Sequence, residues 1–238
     1  MSRRNSGFMP GRRMPWPESA ARPVVPPLQP SVVYAAESPD MLDAQYDGRV
    51  AGFTYAREGH PNAAHLAATL DALEGAEGGL VTGSGMAAVG APLLGLLRAG
   101  DHVVGADQLY GRSLRLLTED LPRFGVAATL ADATDAGAIA AALRPETRAI
   151  LVEVVSNPTL RVADVAGIAA LARARGVRLM IDNTFATPRG VRALDIGADV
   201  VIQSVTKLLS GHSDATLGYV AARDPADRAA IATAVESW

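Results

Sequence analysis

Lys207, in the stretch "SVTKLLSGHSD", is the only lysine in the chain, because the other 21 of its 22 Lys and Arg residues are arginines. A guanidinium group stays protonated at any pH that a protein meets, so it cannot act as a nucleophile. An ammonium group that loses its proton becomes an amine, which can attack a carbonyl carbon to form an imine. A drift of composition toward arginine would also leave a single lysine. The surrounding residues must therefore decide between these two explanations.

Polar side chains follow several apolar segments at the points where strands are predicted to end. Asp182 closes the apolar stretch "RLMID", where an unpaired charge is costly and a cationic partner is expected, although an aspartate there could also cap a turn. The polar residues at these strand ends are Asp107, Tyr110, Ser156, Asn157, Asp182, Asn183, Ser204, Thr206 and Lys207. Ligands of parallel α/β folds bind beyond the carboxyl ends of the strands, so we expect a site there.

The turn "TGSGMAA" is compatible with two kinds of site. Ser84 to Met86 begin a helix directly after a strand, and their amides can hold an anion. Gly83, Gly85 and Ala88 also satisfy the G-x-G-x-x-G/A pattern of dinucleotide-binding folds, with Asp101 or Asp107 as the ribose carboxylate. An NAD(P)-binding oxidoreductase is therefore an alternative. It assigns no role to Lys207.

The elements that must position these residues alternate between helix and strand from about residue 63 onward. Continuous apolar strands separated by helices indicate an α/β fold, with a mainly parallel sheet flanked by helices. Residues 1–50 hold eight of the 15 prolines, which indicates an extended N-terminal arm whose first 20 residues are disordered. We expect residues 51–225 to form a cofactor-binding large domain and residues 226–238 to begin a connecting helix.

Composition and charge exclude several classes of function. The hydrophobic fraction of 49% is typical of a globular protein, and the net charge of −3 with dispersed basic residues is not typical of a nucleic-acid-binding protein. The chain has no cysteine, its four histidines lack metal-ligand spacing, and no apolar run is long enough to cross a membrane. These features predict a cytoplasmic protein that needs no metal, nucleic acid or membrane.

An amine nucleophile, a carboxylate for a ring cation, a phenol that can stack and a phosphate-binding turn are together what pyridoxal phosphate (PLP) requires. In these residues the chain resembles the Cys/Met-metabolism, or transsulfuration, family of PLP-dependent enzymes. The matching stretches, in family order, are "YAREGHPN", "GSGMAA", "DQLYG", "SNPT", "DNTFATP" and "SVTKLLSGHSD". The resemblance implies fold type I, with a large domain like that of aspartate aminotransferase.

The resemblance also implies roles for single residues. Lys207 would be joined to PLP and would move protons, Asp182 would pair with the pyridine nitrogen, and Tyr110 would stack on the ring and assist proton transfer. Asn157 would contact the phenolic oxygen of the cofactor or the substrate carboxylate. The phosphate would be held by the turn and the segment before the lysine, that is, by Ser84, Gly85, Met86, Ser204 and Thr206.

The family pattern implies a homodimer or homotetramer, because Tyr55 and Arg57 would reach the phosphate in the neighbouring subunit. His60 and Asn62 depart from the family's "GNPT", which puts the local turn in question. Arg112 follows "LYG" where methionine γ-lyases carry a cysteine. Family members continue into a smaller C-terminal domain that supplies an arginine for the substrate carboxylate, and we expect this chain to lack that domain.

The expected activity is that of a carbon–sulfur lyase or γ-replacement enzyme of the cystathionine γ-synthase or γ-lyase type. Its substrate would be an amino acid such as cystathionine, homocysteine or an O-acyl-homoserine. O-acetylhomoserine sulfhydrylase and methionine γ-lyase are alternatives within the family. A catalytically silent PLP-binding fragment is an alternative of another class, beside the oxidoreductase.

Overall fold

The computed structural model describes residues 20–21 and 24–237, and contacts divide the chain after Pro30. Before that point, residues 20–21 and 24–30 are exposed and form no helix or strand. The remainder of the predicted arm up to Pro30, including nearly all of the segment expected to be disordered, lies outside the described residues. From Ser31 onward the chain forms one compact unit.

A seven-stranded sheet lies at the centre of this unit, in the order β1-β7-β6-β5-β4-β2-β3. The strands are β1 (Leu80–Thr82), β2 (His102–Ala106), β3 (Ala127–Ala131), β4 (Thr147–Glu153), β5 (Arg178–Asp182), β6 (Val200–Gln203) and β7 (Gly218–Ala222). Strands β6, β5, β4, β2 and β3 are parallel, whereas β7 runs antiparallel to both of its neighbours. The predicted mainly parallel sheet flanked by helices is confirmed.

The last strand that the sequence predicts is "ADVVIQSVTK", so the prediction omits β7. A parallel neighbour of β6 would need a crossover connection, usually a helix. The segment between Gln203 and Gly218 contains only turns, so the chain returns antiparallel. Strand β7 thereby lies between β6 and β1 and joins β1 to the sheet.

Eight α-helices are found in the described residues. They are α1 (Pro39–Tyr46), α2 (Pro61–Glu74), α3 (Gly85–Leu96), α4 (Gly111–Arg115), α5 (Ala136–Ala142), α6 (Val165–Arg175), α7 (Thr187–Gly190) and α8 (Pro225–Ser237). Helix α2 begins after His60, whose ring Nδ1 accepts a hydrogen bond from the Asn62 amide at 3.2 Å. His60, which departs from the family pattern, therefore supplies a working N-cap. The same helix ends at Gly75, which adopts a left-handed conformation with φ of 70°.

Two helical segments differ from the sequence prediction. Helix α1 lies within the segment predicted to be extended; Ser38 caps it and Pro39 occupies its first position. The stretch "GRSLRLLTEDLPRFG" is predicted to form one of the alternating helices, but it passes instead from α4 into a π-helical turn, Leu116–Asp120, and then a 3₁₀ turn, Leu121–Phe124. Pro122 has no amide hydrogen to continue the regular pattern.

The core lies around the central strands, since every residue of β2 and β6 is buried and β4 and β5 are almost wholly buried. Helix α3 packs against α8 and across β7, while α6 packs against β5 and α5. In the part of the chain that the structure describes, no helix combines the length and apolar character that crossing a membrane requires. The packed strands hold their carboxyl ends, and the loops that follow them, in fixed positions.

Candidate active site

A cavity of about 250 Å³ opens at the carboxyl ends of the parallel strands and beside the N-terminus of α3. Nine residues predicted from the sequence line it: Ser84, Gly85, Met86, Tyr110, Asn157, Asp182, Ser204, Thr206 and Lys207. The remaining lining residues are Val89, Ser113, Glu153, Val155, Thr184, Phe185 and Thr216. The tertiary structure therefore brings together residues that lie more than 100 positions apart in the sequence.

Lys207 lies in the turn that follows β6. The turn is tied to the strand end, because the Lys207 amide donates to the Ser204 carbonyl at 3.1 Å. The Thr206 hydroxyl donates to the carbonyl of Leu217 at 3.0 Å and accepts from its amide at 2.9 Å, which joins the turn to the segment before β7. Within the described residues, no carboxylate forms an ion pair with the Lys207 ammonium group. The amine is therefore positioned by its backbone and has no competing ionic partner there.

Asp182 is the last residue of β5, and burial raises the pKa of its carboxyl group. The Thr184 amide opposes this effect by donating to Asp182 Oδ1 at 3.0 Å. The Thr184 hydroxyl in turn accepts a hydrogen bond from the Ser204 amide at 2.8 Å. Thr184 thus links the ends of β5 and β6 beside the cavity, a role that "DNTF" alone did not indicate.

The N-terminus of α3 forms another wall of the cavity. Ser84 caps the helix, because its hydroxyl accepts from the Ala87 amide at 3.1 Å. The backbone at Gly85 lies so close to Ser204 that an added Cβ would be 2.5 Å from the serine Oγ. The amides of the first helical turn have no partners within the helix and carry the positive end of its dipole. This wall can therefore hold an anionic group.

Tyr110 and Asn157 are joined through a residue that sequence analysis missed. Glu153, the last residue of β4, accepts hydrogen bonds from the Tyr110 amide at 2.7 Å and from the Asn157 amide at 3.1 Å. Burial raises the pKa of Glu153 to about 7; the two amide bonds oppose the shift and the nearby charge of Asp182 adds to it. The signal was a carboxylate inside the apolar stretch "ILVEVV", just before "SNP".

Three of the polar residues at strand ends lie elsewhere. Asp107 is exposed and lines a small cavity behind the main one. Ser156 bonds to the Thr159 hydroxyl at 2.6 Å, within its own loop. Asn183 is fully buried and donates to the Val191 carbonyl at 2.8 Å. Asn183 directly follows Asp182, and successive residues at a strand end point to opposite sides, so this adjacency did not bring Asn183 into the cavity.

Tyr55 and Arg57 do not line the cavity of their own chain. The Arg57 guanidinium donates to the Glu236 carbonyl at 2.6 Å and lies 3.5 Å from the carboxylate of Glu58. It also lies 5.6 Å from the centre of the Tyr55 ring, which is 40% exposed. Both side chains are therefore displayed on a surface apart from the cavity.

The dinucleotide alternative does not fit this topology. In dinucleotide-binding folds the glycine turn follows a parallel strand at the point where the strand order reverses. The turn at Gly83 instead follows β1, a three-residue edge strand that pairs antiparallel with β7. Neither the strand direction nor its position provides the crevice for a pyrophosphate.

Residues 14–237 match the family described as Cys/Met metabolism PLP-dependent enzyme. The chain is 43% identical over 172 residues to a cystathionine beta-lyase of Bacillus subtilis, an alignment that covers 72% of this chain and 44% of the relative. It is 39% identical over 208 residues to a cystathionine gamma-synthase of Mycobacterium tuberculosis, covering 87% of this chain and 52% of the relative. The chain thus spans about half the length of the curated relatives it matches.

A crystal structure from Campylobacter jejuni shares the fold. It is described as a putative O-acetylhomoserine (thiol)-lyase with N'-pyridoxyl-lysine-5'-monophosphate, and it superposes with a TM-score of 0.82 at 30% identity, covering 86% of this chain and 51% of that one. A match over most of the described residues, together with relatives at this level of identity, establishes the relationship. The chain belongs to the Cys/Met metabolism family of PLP-dependent enzymes.

Proposed function

We propose that this chain carries the cofactor-binding domain of a PLP-dependent enzyme acting on a sulfur-containing or γ-activated amino acid. The reaction would remove or exchange the group at a carbon–sulfur or carbon–oxygen bond of the side chain. Cystathionine, homocysteine and O-acyl-homoserines are substrates of this kind. The observation that carries the proposal is the cavity in which the only lysine, Lys207, lies with Asp182 and the N-terminus of α3.

The donor groups of the cavity fit this cofactor. Asp182 is an acid whose pKa is raised by burial, so a cationic ring nitrogen beside it would restore its charged form. The open amides of α3 suit a phosphate, and the close packing of Gly85 on Ser204 brings the helix end and the strand end to the same point. The Thr206 hydroxyl already donates to Leu217, so of the two hydroxyls Ser204 is the freer phosphate donor.

When bound, PLP supplies an aldehyde that joins to amino groups and a ring that withdraws electrons from the carbon atoms of the attached amino acid. Lys207 Nζ would provide the attachment point for PLP and, once released from it, would take the proton from the substrate Cα. Asp182 would stabilise the positive charge on the ring nitrogen of the cofactor. Tyr110 would contact the ring, and Asn157 would hydrogen-bond to the cofactor or to the substrate carboxylate.

The relatives indicate a substrate class shared by the family but do not single out one substrate. Their names include enzymes that act at the β-carbon and at the γ-carbon, and both lyases and a synthase. We propose an activity of the cystathionine γ-synthase or γ-lyase type, in a protein of the cytoplasm. O-acetylhomoserine sulfhydrylase chemistry is the second candidate, supported by the shared fold of the Campylobacter jejuni structure.

The test is covalent attachment of the cofactor. The chain incubated with PLP should turn yellow, and borohydride should bleach the colour and fix a pyridoxyl group on the peptide that contains Lys207. Lys207→Arg keeps the charge but should remove both signals. Mass spectrometry separates Lys207 from the N-terminal amine, the other primary amine of the chain.

A matched double variant tests whether cofactor attachment requires a lysine at position 207 or only the presence of one lysine in the chain. Lys207→Arg combined with Arg175→Lys preserves one lysine and the net charge, with the amine on the exposed end of α6, and should stay colourless. Attachment in this double variant, or a yellow Lys207→Arg protein, would refute the proposal. A yellow parent protein that releases no keto acid from any of the proposed substrates would indicate a PLP-binding module without this activity.

A further inference from the structure

Glu153 occupies a central place among the loops that form the cavity. It ends β4, opposite Asp182 in the parallel register with β5, and the residue is only 8% exposed. It lines both the main cavity and the small cavity behind it. Glu153 therefore lies where the two cavities adjoin.

The two oxygens of Glu153 hold two separate backbone segments. Oε1 accepts from the amide of Tyr110, the residue that begins α4 after β2. Oε2 accepts from the amide of Asn157, in the loop after β4. An ionised carboxylate accepts well on both oxygens at once, whereas an amide side chain has a single accepting oxygen and a protonated acid carries a hydrogen on one of its oxygens.

This arrangement is costly for the fold. Within the described residues, no Arg, Lys or His forms an ion pair with Glu153. The charged groups facing it are Asp182 and Lys207 around the main cavity, and Asp107, Asp132 and Arg161 around the small one. Asp132 and Arg161 neutralise each other across 2.8 Å. A buried carboxylate with a like charge beside it is unfavourable, and an apolar residue would avoid that cost but leave two amides unpaired.

We infer that Glu153 is a positioning residue of the active site. Its carboxylate fixes the backbone at Tyr110 and Asn157, so that both side chains reach the cavity that contains Lys207 and Asp182. What those two side chains bind rests on the proposed function, whereas the bracing itself does not.

The first experiment measures the two amides in the full chain without cofactor. Hydrogen exchange and amide chemical shifts, followed by NMR, should show the Tyr110 and Asn157 amides protected and titrating together with a midpoint near the raised pKa of Glu153, about 7. In Glu153→Ala both amides should lose protection and the shared titration. In Glu153→Gln, which keeps the volume and one accepting oxygen, one amide should stay protected and neither should titrate. Glu119→Gln, at an exposed position, is the control and should behave like the parent chain.

The second experiment measures the affinity for PLP by titration of absorbance. Loss of the brace should weaken binding by about tenfold in Glu153→Ala and less in Glu153→Gln, with Glu119→Gln unchanged. Amides that remain protected in Glu153→Ala would refute the bracing. If both amides lose protection in Glu153→Ala but the PLP affinity is unchanged, the bracing has no role at the site. A parent chain that does not bind PLP would refute the proposed function alone, because the amide measurement decides the bracing without the cofactor.

Discussion

Two buried carboxylates lie side by side in the cavity with different partners. Asp182 and Glu153 are opposite each other in the register of β5 and β4, and burial raises the pKa of each. Asp182 directs a carboxylate toward the space where a ring cation would stand, while Glu153 is engaged by two backbone amides. Pairs of acids in different surroundings commonly have different tasks. We assign charge stabilisation to Asp182 and positioning to Glu153.

Glu153 should make the stability of the chain depend on pH. Its pKa rises from 4.5 to about 7 on folding, so between these values the folded chain holds a proton that the unfolded chain has lost. The free energy of unfolding should therefore fall as the pH rises from 4.5 to 7, by up to about 3 kcal/mol from this group. Denaturant unfolding at pH 5 and pH 8 should show this loss in the parent chain and a smaller loss in Glu153→Gln. Equal losses in the two proteins would mean that Glu153 is not the group responsible.

At the scale of elements, helix α3 and the turn after β6 close the cavity from two sides. Their separation is set at Gly85, where the absence of a side chain lets the helix end lie against Ser204. Gly218 plays a matching part in β7, since an added Cβ would be 2.5 Å from the Thr82 hydroxyl. The proposed phosphate-binding surface therefore depends on two close backbone approaches and not only on hydrogen-bond donors.

Gly85→Ala should separate these elements and weaken PLP binding at least tenfold, while lowering the free energy of unfolding by about 1–3 kcal/mol through overpacking. Gly90→Ala is the matched control, because it lies in the same helix and its added Cβ meets nothing within 4 Å. The control should gain about 0.5–1 kcal/mol of stability and keep its affinity. Absorbance titration and denaturant unfolding measure both quantities. Equal PLP affinity in the two variants would contradict this assignment of Gly85.

At the scale of the whole molecule, apolar side chains beside the cavity are exposed to solvent. Phe185 and Leu208, next to site residues, are 43% and 63% exposed. Tyr55 and Arg57 lie away from the cavity of their own chain and remain partly exposed. We therefore keep the proposal that they complete the site of a neighbouring subunit in a homodimer or homotetramer.

Mixing two damaged variants tests this proposal. Arg57→Ala and Lys207→Arg should each bind PLP poorly, the first through weaker phosphate contact and the second through loss of attachment. Refolding an equal mixture should restore about a quarter of the sites, because half of the random dimers contain one intact site out of two. Borohydride-fixed cofactor counts the restored sites, and sedimentation reports the assembly. If no sites are recovered in a mixture that sediments as dimers, Arg57 contributes to the site of its own chain or to no site.

Patterns among neighbouring residues were sufficient to predict much of the fold and many of the candidate site residues of this protein. Apolar runs separated by helical segments predicted the parallel strands, and "TGSGMAA" predicted that a helix begins at about Ser84, because these features depend on neighbouring residues. The solitary Lys207 and the acid that ends "RLMID" marked the chemistry before any contact was known, since few side chains can form an imine or hold a ring cation.

Tertiary contacts decided the rest. The pairing of β7 with β1 and the brace at Glu153 both depend on residues far apart in the sequence. No local pattern shows that the carboxylate of β4 will meet an amide 43 positions earlier in the chain. The amino-acid sequence determined which reactive groups this protein has, and only the packing of the sheet decided which of them meet, because hydrogen-bond partners across strands are set by register and crossover.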